Sequence, residues 1–288
     1  MIIVSCSKGA HLGRKIAKKS GAGYTAIKTG RFPDGEIYLR FLKDVKGKIV
    51  VLVQSFYGDI DGLIVETLFA AATARDLGAK KVLLAAPYFP YFRQDKSFHD
   101  GECVSLHVIG HLFDKYFDKI IVVDPHLHRE NTLQHVFKTE SSRLTANPLI
   151  AMYIQKHFRT PVLIGPDWES YKWARKVAEM INAESSILEK KRYSSHNVKV
   201  RLRRRIEMEN KEAIIVDDII STGHTILETI KNIKKLNPKK IICICVHGIF
   251  TENALEKIRK AGASVISTNT IPSAVSEIDV SGLIANSL

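Results

Sequence analysis

Residues 213–225 of this 288-residue chain read AIIVDDIISTGHT. The apolar residues Ala213–Val216 predict a strand that is buried on both faces, as in a parallel sheet. After an acidic pair comes the hydroxyl-rich loop Ser221–Thr225, and a helical pattern of apolar residues begins at Ile226. This order predicts a phosphate-binding loop, because free backbone N–H groups and the positive end of the helix dipole point towards the loop.

The acidic pair, Asp217 and Asp218, indicates what accompanies the phosphate. Two carboxylates repel a bare phosphate, but they accept hydrogen bonds from sugar hydroxyls or hold a divalent cation. We therefore expect a phosphorylated sugar in the loop. An ordinary strand-to-helix turn is the alternative, and the order of the acidic pair, Ser-Thr-Gly and Thr before an apolar helix does not favour it.

The composition is that of a soluble globular protein, with 45% hydrophobic and 25% charged residues. The length predicts about two domains. No apolar run reaches the roughly 18 residues that a membrane helix needs. The N-terminal sequence MIIVSCSKGAHLGRK predicts a first core strand rather than a signal peptide, so we expect a cytoplasmic protein without membrane contact.

The net positive charge of the chain suits polyanionic ligands. Lysine and arginine number 43 against 30 acidic residues, a formal net charge of +13. Such a positive field suits nucleotides, phosphorylated sugars or nucleic acid. The densest basic run, Arg201–Arg205, is most simply a solvated face, so nucleic-acid binding is not favoured.

The four cysteines are Cys6, Cys103, Cys243 and Cys245, and none forms a C-x-x-C pair. We expect buried free thiols rather than a disulfide or a metal site.

Strand-like apolar runs alternate with helical patterns along almost the whole chain, which predicts an α/β fold with mainly parallel sheets. The chain divides near Ala146 into halves of similar layout, without a residue-level repeat. We expect one unit at residues 1–145, a second at 146–275 and a separate C-terminal segment at 276–288.

Three segments outside the loop are candidates for nucleotide or metal binding. The turn RFPDGE, residues 31–36, offers an aromatic face beside two carboxylates, and a plain surface turn is the alternative. PYFPYFRQDK, residues 87–96, follows a predicted strand, where α/β sheets bind ligands. Its aromatic rings and cations suit a purine and its phosphates, and a packed aromatic corner with a charged tip is the alternative.

The third segment, VDPHLH, is residues 123–128. Asp124, His126 and His128 suggest zinc, but neither a cysteine nor a further close histidine completes a tetrahedral set. A histidine that caps a loop is the alternative. The chain has neither G-x-x-x-x-G-K-[ST] nor G-x-G-x-x-G, so a nucleotide must be held in another way.

The basic segment Glu189–Arg192 follows a predicted strand, Ser186–Leu188, and is either a solvated loop or a source of positive charge for phosphoryl transfer.

The string VDDIISTGHT closely resembles the phosphoribosyl-diphosphate loop of phosphoribosyltransferase-fold proteins. F-x-D-G-E, P-Y-x-x-Y-x-R-Q-D and D-x-H resemble segments of one such family, the ribose-phosphate diphosphokinases, and the resemblance covers about residues 2–285. It implies two similar phosphoribosyltransferase-like units with mainly parallel central sheets flanked by helices. It also implies that residues 276–288 pack on the first unit.

The resemblance implies transfer of the diphosphoryl group of Mg-ATP to the C1 hydroxyl of ribose 5-phosphate, giving phosphoribosyl diphosphate and AMP. It implies these sites: ATP at Phe32, Asp34, Glu36, Arg93, Gln94 and Asp95; ribose 5-phosphate at Asp217, Asp218, Ser221, Thr222, Gly223, His224 and Thr225; Mg²⁺ at His126 and Asp167; and catalysis by Lys190 and Arg192. A register slip of one residue would replace Lys190 by Lys191. The F-x-D-G-E segment reaches a neighbouring subunit in that family, which implies a homo-oligomer, a dimer or a hexamer.

Two alternatives remain, a phosphoribosyltransferase and a catalytically silent nucleotide-binding regulatory paralogue. The second is motivated by departures from the family pattern. His224 stands where the loop usually has glycine, and Ser221 replaces an aspartate of many members. Trp168–Ser170 stand where small residues, often glycines, let the backbone approach phosphate.

Overall fold

The computed structural model describes residues 1–97, 99–127, 132–192, 198–202 and 207–288. The strands are β1 (Ile2–Ser5), β2 (Gly23–Ala26), β3 (Lys28–Arg31), β4 (Ile37–Arg40), β5 (Ile49–Val53), β6 (Lys81–Ala86), β7 (Lys119–Val123), β8 (Glu140–Leu144), β9 (Pro161–Gly165), β10 (Glu184–Arg192), β11 (Val198–Leu202), β12 (Glu212–Ile220), β13 (Lys240–Gly248), β14 (Ser264–Thr268) and β15 (Ser276–Ile278). The helices are α1 (Ala10–Ser20), α2 (Ile60–Asp76), α3 (Ser105–Asp114), α4 (Asn147–His157), α5 (Trp168–Met180), α6 (His224–Ile233), α7 (Ala254–Lys260) and α8 (Ser281–Ala285).

The first unit comprises Met1–Thr145 together with Val280–Leu288. Its parallel sheet has the strand order β2-β1-β5-β6-β7-β8, and β3 and β4 form a separate antiparallel hairpin. Helix α8 lies against α1. Aromatic rings fill part of the core, with Phe89 in edge contact with Phe56, Phe113 and Phe137. These buried rings fix the chain that leaves β6.

The second unit comprises Ala146–Asp279. Its sheet has the order β11-β10-β9-β12-β13-β14-β15, in which β10 and β11 pair antiparallel and the other described pairs are parallel. Strand β12 lies between β9 and β13 and is buried along nearly its whole length, which explains its run of Ile and Val.

The two units have the same topology. If β11 is set aside, each sheet has six described strands. When the strands of each sheet are numbered in chain order, both sheets have the strand order 2-1-3-4-5-6. The α/β fold with two mainly parallel sheets flanked by helices is thereby confirmed.

Three local predictions were wrong. Strand β12 continues to Ile220, so Asp217 and Asp218 lie inside it rather than after it, and α6 already begins at His224. Strand β10 continues to Arg192 because β11 pairs with its second half. Cys103 is exposed, although all four cysteines are free.

No helix in the described part of the chain combines the length and the apolar character needed to cross a membrane.

Candidate functional site

The acidic end of β12 lies beside the loop that follows β9. The two strands are paired in parallel from Glu212 opposite Pro161 to Ile215 opposite Ile164. Their carboxyl ends therefore face the same edge of the sheet, where α/β proteins bind ligands. Asp167 begins α5 just after β9, and its carboxylate accepts the N–H of Ser170 at 2.8 Å, as an N-cap.

A serine joins the carboxylates of the two strands. The Ser170 hydroxyl lies 2.9 Å from Asp167 Oδ1 and 2.8 Å from Asp217 Oδ1. Backbone N–H groups complete the arrangement: that of Asp218 donates to Asp217 Oδ1 at 3.0 Å, and that of Ile219 donates to Asp218 Oδ1 at 2.8 Å. These hydrogen bonds link the acidic pair of β12 to Asp167 at the start of α5.

This arrangement makes Asp217 costly to ionise. Burial raises the pKa of the Asp217 carboxyl well above its usual value, and the nearby carboxylates of Asp218 and Asp167 raise it further, while the hydrogen bond from Ser170 lowers it. A bound cation or a set of sugar hydroxyls would relieve this excess of negative charge.

The loop after β12 leaves the start of α6 open. Gly223 is the N-cap of α6 with a left-handed backbone, φ 76°, and no side chain caps the first turn among the described residues. The N–H groups of that turn are therefore available to an anion. Ser221 and Thr222 are half-buried beside it, and Ser221 Oγ lies 3.2 Å from Thr251 Oγ1.

The equivalent helix start in the first unit is filled by the protein's own carboxylate. Asp59 caps α2, accepts the N–H of Gly62 at 3.3 Å and pairs with Arg31 at 2.7 Å. A cavity of about 270 Å³ adjoins this cap and is also lined by Lys8 and Glu66. Because a carboxylate occupies the anion position there, the comparison favours the second unit as the phosphate site.

We expect Gly223→Ala to lower the free energy of unfolding by about 1–2 kcal/mol, measured by urea denaturation. A Cβ added at Gly223 would lie 3.3 Å from the Ala254 Cβ, and the backbone of Gly223 is left-handed. Gly47→Ala is the matched control, because Gly47 has φ 69° but nothing within 4 Å of an added Cβ. Equal losses in the two variants would show that crowding at the loop plays no part.

His224 does not fill the loop. Its side chain is 75% exposed, and its Nε2 lies 3.9 Å from Glu252 Oε2, which is also 3.8 Å from Lys257 Nζ. His224, at the position where the sequence resemblance implies a glycine, therefore places an exposed imidazole at the start of α6.

The RFPDGE turn is the tip of the β3–β4 hairpin. Phe32, Asp34 and Glu36 are all exposed. The Phe32 ring packs edge-on against the Tyr38 ring, with 5.9 Å between the ring centroids. Arg31 holds the tip, donating to the Gly35 carbonyl at 2.7 Å. The turn residues are thus presented to solvent on a braced hairpin.

The PYFPYFRQDK segment is partly core. Phe89 and Phe92 are buried against each other, as the packed-corner alternative expects, so these two rings are not available to a purine. Arg93 is exposed, while Gln94 and Asp95 are half-buried. Tyr91 donates a hydrogen bond to Asp61 in the first turn of α2.

The candidate metal ligands lie in different units. His126 is half-buried beyond β7, next to the fully buried Asp124, and Asp167 caps α5. His128 lies outside the described residues, and within the described ones no three His, Cys, Asp or Glu side chains form a metal-binding group.

Lys190 and Arg192 lie in β10, opposite Val200 and Val198, and their side chains are outside the description. Since a strand alternates, positions 190 and 192 share one face and position 191 takes the other.

The sequence did not indicate the bridge at Ser170. Asp167 is of a residue type that favours an N-cap, but the contact of Ser170 with Asp217 spans 47 positions and depends on the pairing of β9 with β12.

Comparisons with known proteins agree with this architecture. Residues 1–116 match the family model described as the N-terminal domain of ribose phosphate pyrophosphokinase, and residues 141–281 match the phosphoribosyl transferase domain. The chain is 38% identical over 287 residues to the ribose-phosphate pyrophosphokinase of Methanothermobacter thermautotrophicus, covering 99% of each chain. It is 33% identical to that of Pyrococcus furiosus, covering 100% of each.

The fold is similar to the crystal structure of phosphoribosylpyrophosphate synthetase from Mycobacterium smegmatis. The TM-score is 0.85 at 24% identity, over 99% of this chain and 97% of that one. The family resemblance of the sequence motifs is confirmed: the chain belongs to the ribose-phosphate pyrophosphokinase family.

Proposed function

We propose that this protein transfers the diphosphoryl group of ATP to the C1 hydroxyl of ribose 5-phosphate, giving phosphoribosyl diphosphate and AMP. Full-length similarity to enzymes named for this activity supports the proposal. The observation that carries it is the acidic pair of β12 followed by a helix start that no side chain of the described residues caps.

Ribose 5-phosphate takes the second unit. The N–H groups of the first turn of α6, with the hydroxyls of Ser221, Thr222 and Thr225, hold the 5-phosphate. Asp217 and Asp218 accept hydrogen bonds from the ribose hydroxyls. The phosphate and the carboxylates thus bind opposite ends of the sugar, which fixes its orientation.

ATP takes the segments of the first unit. Phe32 stacks on adenine, with Asp34 and Glu36 beside it, and Arg93, Gln94 and Asp95 bind the nucleotide from the second segment. Because the hairpin tip is exposed, it is free to reach the ATP of a neighbouring subunit. A molar mass above the 32.3 kDa of one chain in light scattering would support this homo-oligomer, and a mass of one chain would contradict it.

The donor set fits Mg²⁺ better than zinc. Mg²⁺ prefers oxygen, keeps several waters and uses one or two carboxylates together with substrate phosphates, so it needs no cage of protein ligands. Asp167 offers a carboxylate near those of Asp217 and Asp218, where negative charge is in excess. His126 is the second proposed ligand. When bound, Mg²⁺ would neutralise charge on the nucleotide phosphates.

The sugar hydroxyl attacks the β-phosphorus of ATP directly and AMP leaves, so no covalent enzyme intermediate is needed. Lys190 and Arg192 stabilise charge on the transferred group. Lys190 is preferred to Lys191 because it shares its strand face with Arg192.

The direct test measures AMP formation from ATP, Mg²⁺ and ribose 5-phosphate by the purified protein. We expect AMP and phosphoribosyl diphosphate in equal amounts. A requirement for a nucleobase and diphosphate instead would indicate a phosphoribosyltransferase.

A silent regulatory paralogue is the second candidate. The observation in its favour is that the large residues Trp168 and Glu169 lie in the first turn of α5, with Trp168 51% exposed. Nucleotide binding without turnover would favour it, and turnover by the purified protein alone would exclude it.

We expect Phe32→Ala to raise the KM for ATP by roughly tenfold, because one base–aromatic stack is lost. The Phe32 side chain is 49% exposed, so the melting temperature should hardly change. Leu42→Ala, at 52% exposure in the same unit, is the control and should leave both quantities unchanged. An unchanged KM for ATP in the Phe32 variant would remove this residue from the nucleotide site.

A further inference from the structure

The bridge at Ser170 has one proton to share between two carboxylates. Ser170 is 5% exposed, and its hydroxyl lies within hydrogen-bond distance of both Asp167 and Asp217. A hydroxyl donates one hydrogen bond at a time. The hydroxyl therefore donates to only one of the two carboxylates at a time.

The two carboxylates serve different ligands in the proposed function. Asp167 is assigned to the cation that accompanies the nucleotide, and Asp217 to the ribose hydroxyls. A cation near Asp167 weakens the attraction of that carboxylate for the hydroxyl proton. The hydroxyl is then free to donate to Asp217, 2.8 Å away, without moving its oxygen.

We propose that Ser170 is a positioning residue that couples binding of the nucleotide's cation at Asp167 to ribose 5-phosphate binding at Asp217. Donation to Asp217 holds that carboxylate in the orientation that the sugar hydroxyls require. The inference rests on the proposed function. Because coupling is reciprocal, ribose 5-phosphate tightens nucleotide binding by the same factor.

The backbone cap at Asp167 does not depend on the Ser170 hydroxyl, because the N–H of Ser170 donates to Asp167 at 2.8 Å whatever the side chain. Removal of the hydroxyl therefore removes the bridge and keeps the start of α5.

The experiment measures the Kd for ribose 5-phosphate by calorimetry, with and without Mg²⁺ and α,β-methylene ATP, whose α–β linkage resists cleavage. For the unmodified protein we expect roughly tenfold tighter binding with the nucleotide, in the usual range of coupling between sites. In Ser170→Ala the ratio should fall to about one. Ser170→Thr, which keeps a hydroxyl, should restore it.

Ser264→Ala, at an exposed position of β14, is the matched control and should keep the full ratio. Ser170→Gly provides a second way to delete the hydroxyl. A ratio near one in the unmodified protein, or a full ratio in either deletion variant, would overturn the inference while leaving the proposed function standing. Absence of any ribose 5-phosphate binding to the unmodified protein would instead overturn the proposed function, and the inference with it.

Discussion

Lys190→Ala should lower kcat roughly 100-fold, with little change in the KM for either substrate. A positive charge that acts on the transferred group is used mainly in the transition state, and loss of one such donor typically costs 10²–10³-fold. Position 190 shares a strand face with Arg192, which makes Lys190 rather than its neighbour the expected donor. Steady-state kinetics with ATP and ribose 5-phosphate measure the effect.

Lys191→Ala is the matched control, since it removes the same charge from the opposite face of β10. We expect its kcat to stay within about twofold of the unmodified value, because general charge reduction acts weakly at physiological salt. The reverse outcome, a large loss at position 191 and a small one at 190, would show that the family alignment is displaced by one residue. Equal small losses of kcat in the two variants would show that neither lysine acts in the transfer step.

Much of the fold could be predicted because its signals are local. Apolar runs such as Ile49–Val53 are buried on both faces of a parallel sheet, so the residue types alone identify the strands. The hairpin of β3 and β4 could not be predicted in the same way. Strand β3 is mostly exposed and β4 is mostly half-buried, so no clear alternation of apolar and polar residues marks the hairpin.

Prediction of the candidate site failed where a long-range partner decides the structure. Asp217 and Asp218 follow four apolar residues, so the sequence alone predicts a strand that ends at Val216. The strand continues because β13 pairs alongside it as far as Gly248. The residue types predict a phosphate loop, which stays a prediction, whereas the burial of Asp217 and its contact with Ser170 depend on neighbours distant in sequence.

The two units show how similar frameworks acquire different roles. Both sheets place a helix start after their third strand in chain order, α2 in one and α6 in the other. In the first unit Asp59 caps that start and pairs with Arg31, which braces the hairpin tip. In the second, glycine stands at the cap and the carboxylates are moved back into β12. The difference of one capping residue separates a structural corner from the proposed anion site.

Asp217→Asn should stabilise the protein and weaken its ligand binding at the same time. Burial and neighbouring carboxylates raise the pKa of Asp217, so its folded-state pKa lies above its unfolded one. Below the unfolded pKa the Asp217 carboxyl is protonated in both states and does not reduce the stability of the fold. As pH rises from the unfolded pKa through the folded pKa, the cost of burying this carboxyl reduces the free energy of unfolding. At neutral pH the amide avoids that loss, and we expect about 1 kcal/mol of added stability, or a melting temperature about 2–4 °C higher.

The gain should disappear as pH falls towards the ordinary aspartate pKa, where the native carboxyl is protonated in both states. Ribose 5-phosphate should bind about 10–100-fold more weakly to the variant, because hydrogen bonds to a charged acceptor are lost. Asp44→Asn is the control, since Asp44 is exposed and its ion pair with Lys48 is loose at 3.8 Å. The amide oxygen of asparagine can still accept the Lys46 N–H that Asp44 Oδ1 accepts at 3.0 Å. A lower melting temperature at neutral pH would contradict the electrostatic account of the acidic pair, and unchanged affinity would remove Asp217 from the sugar site.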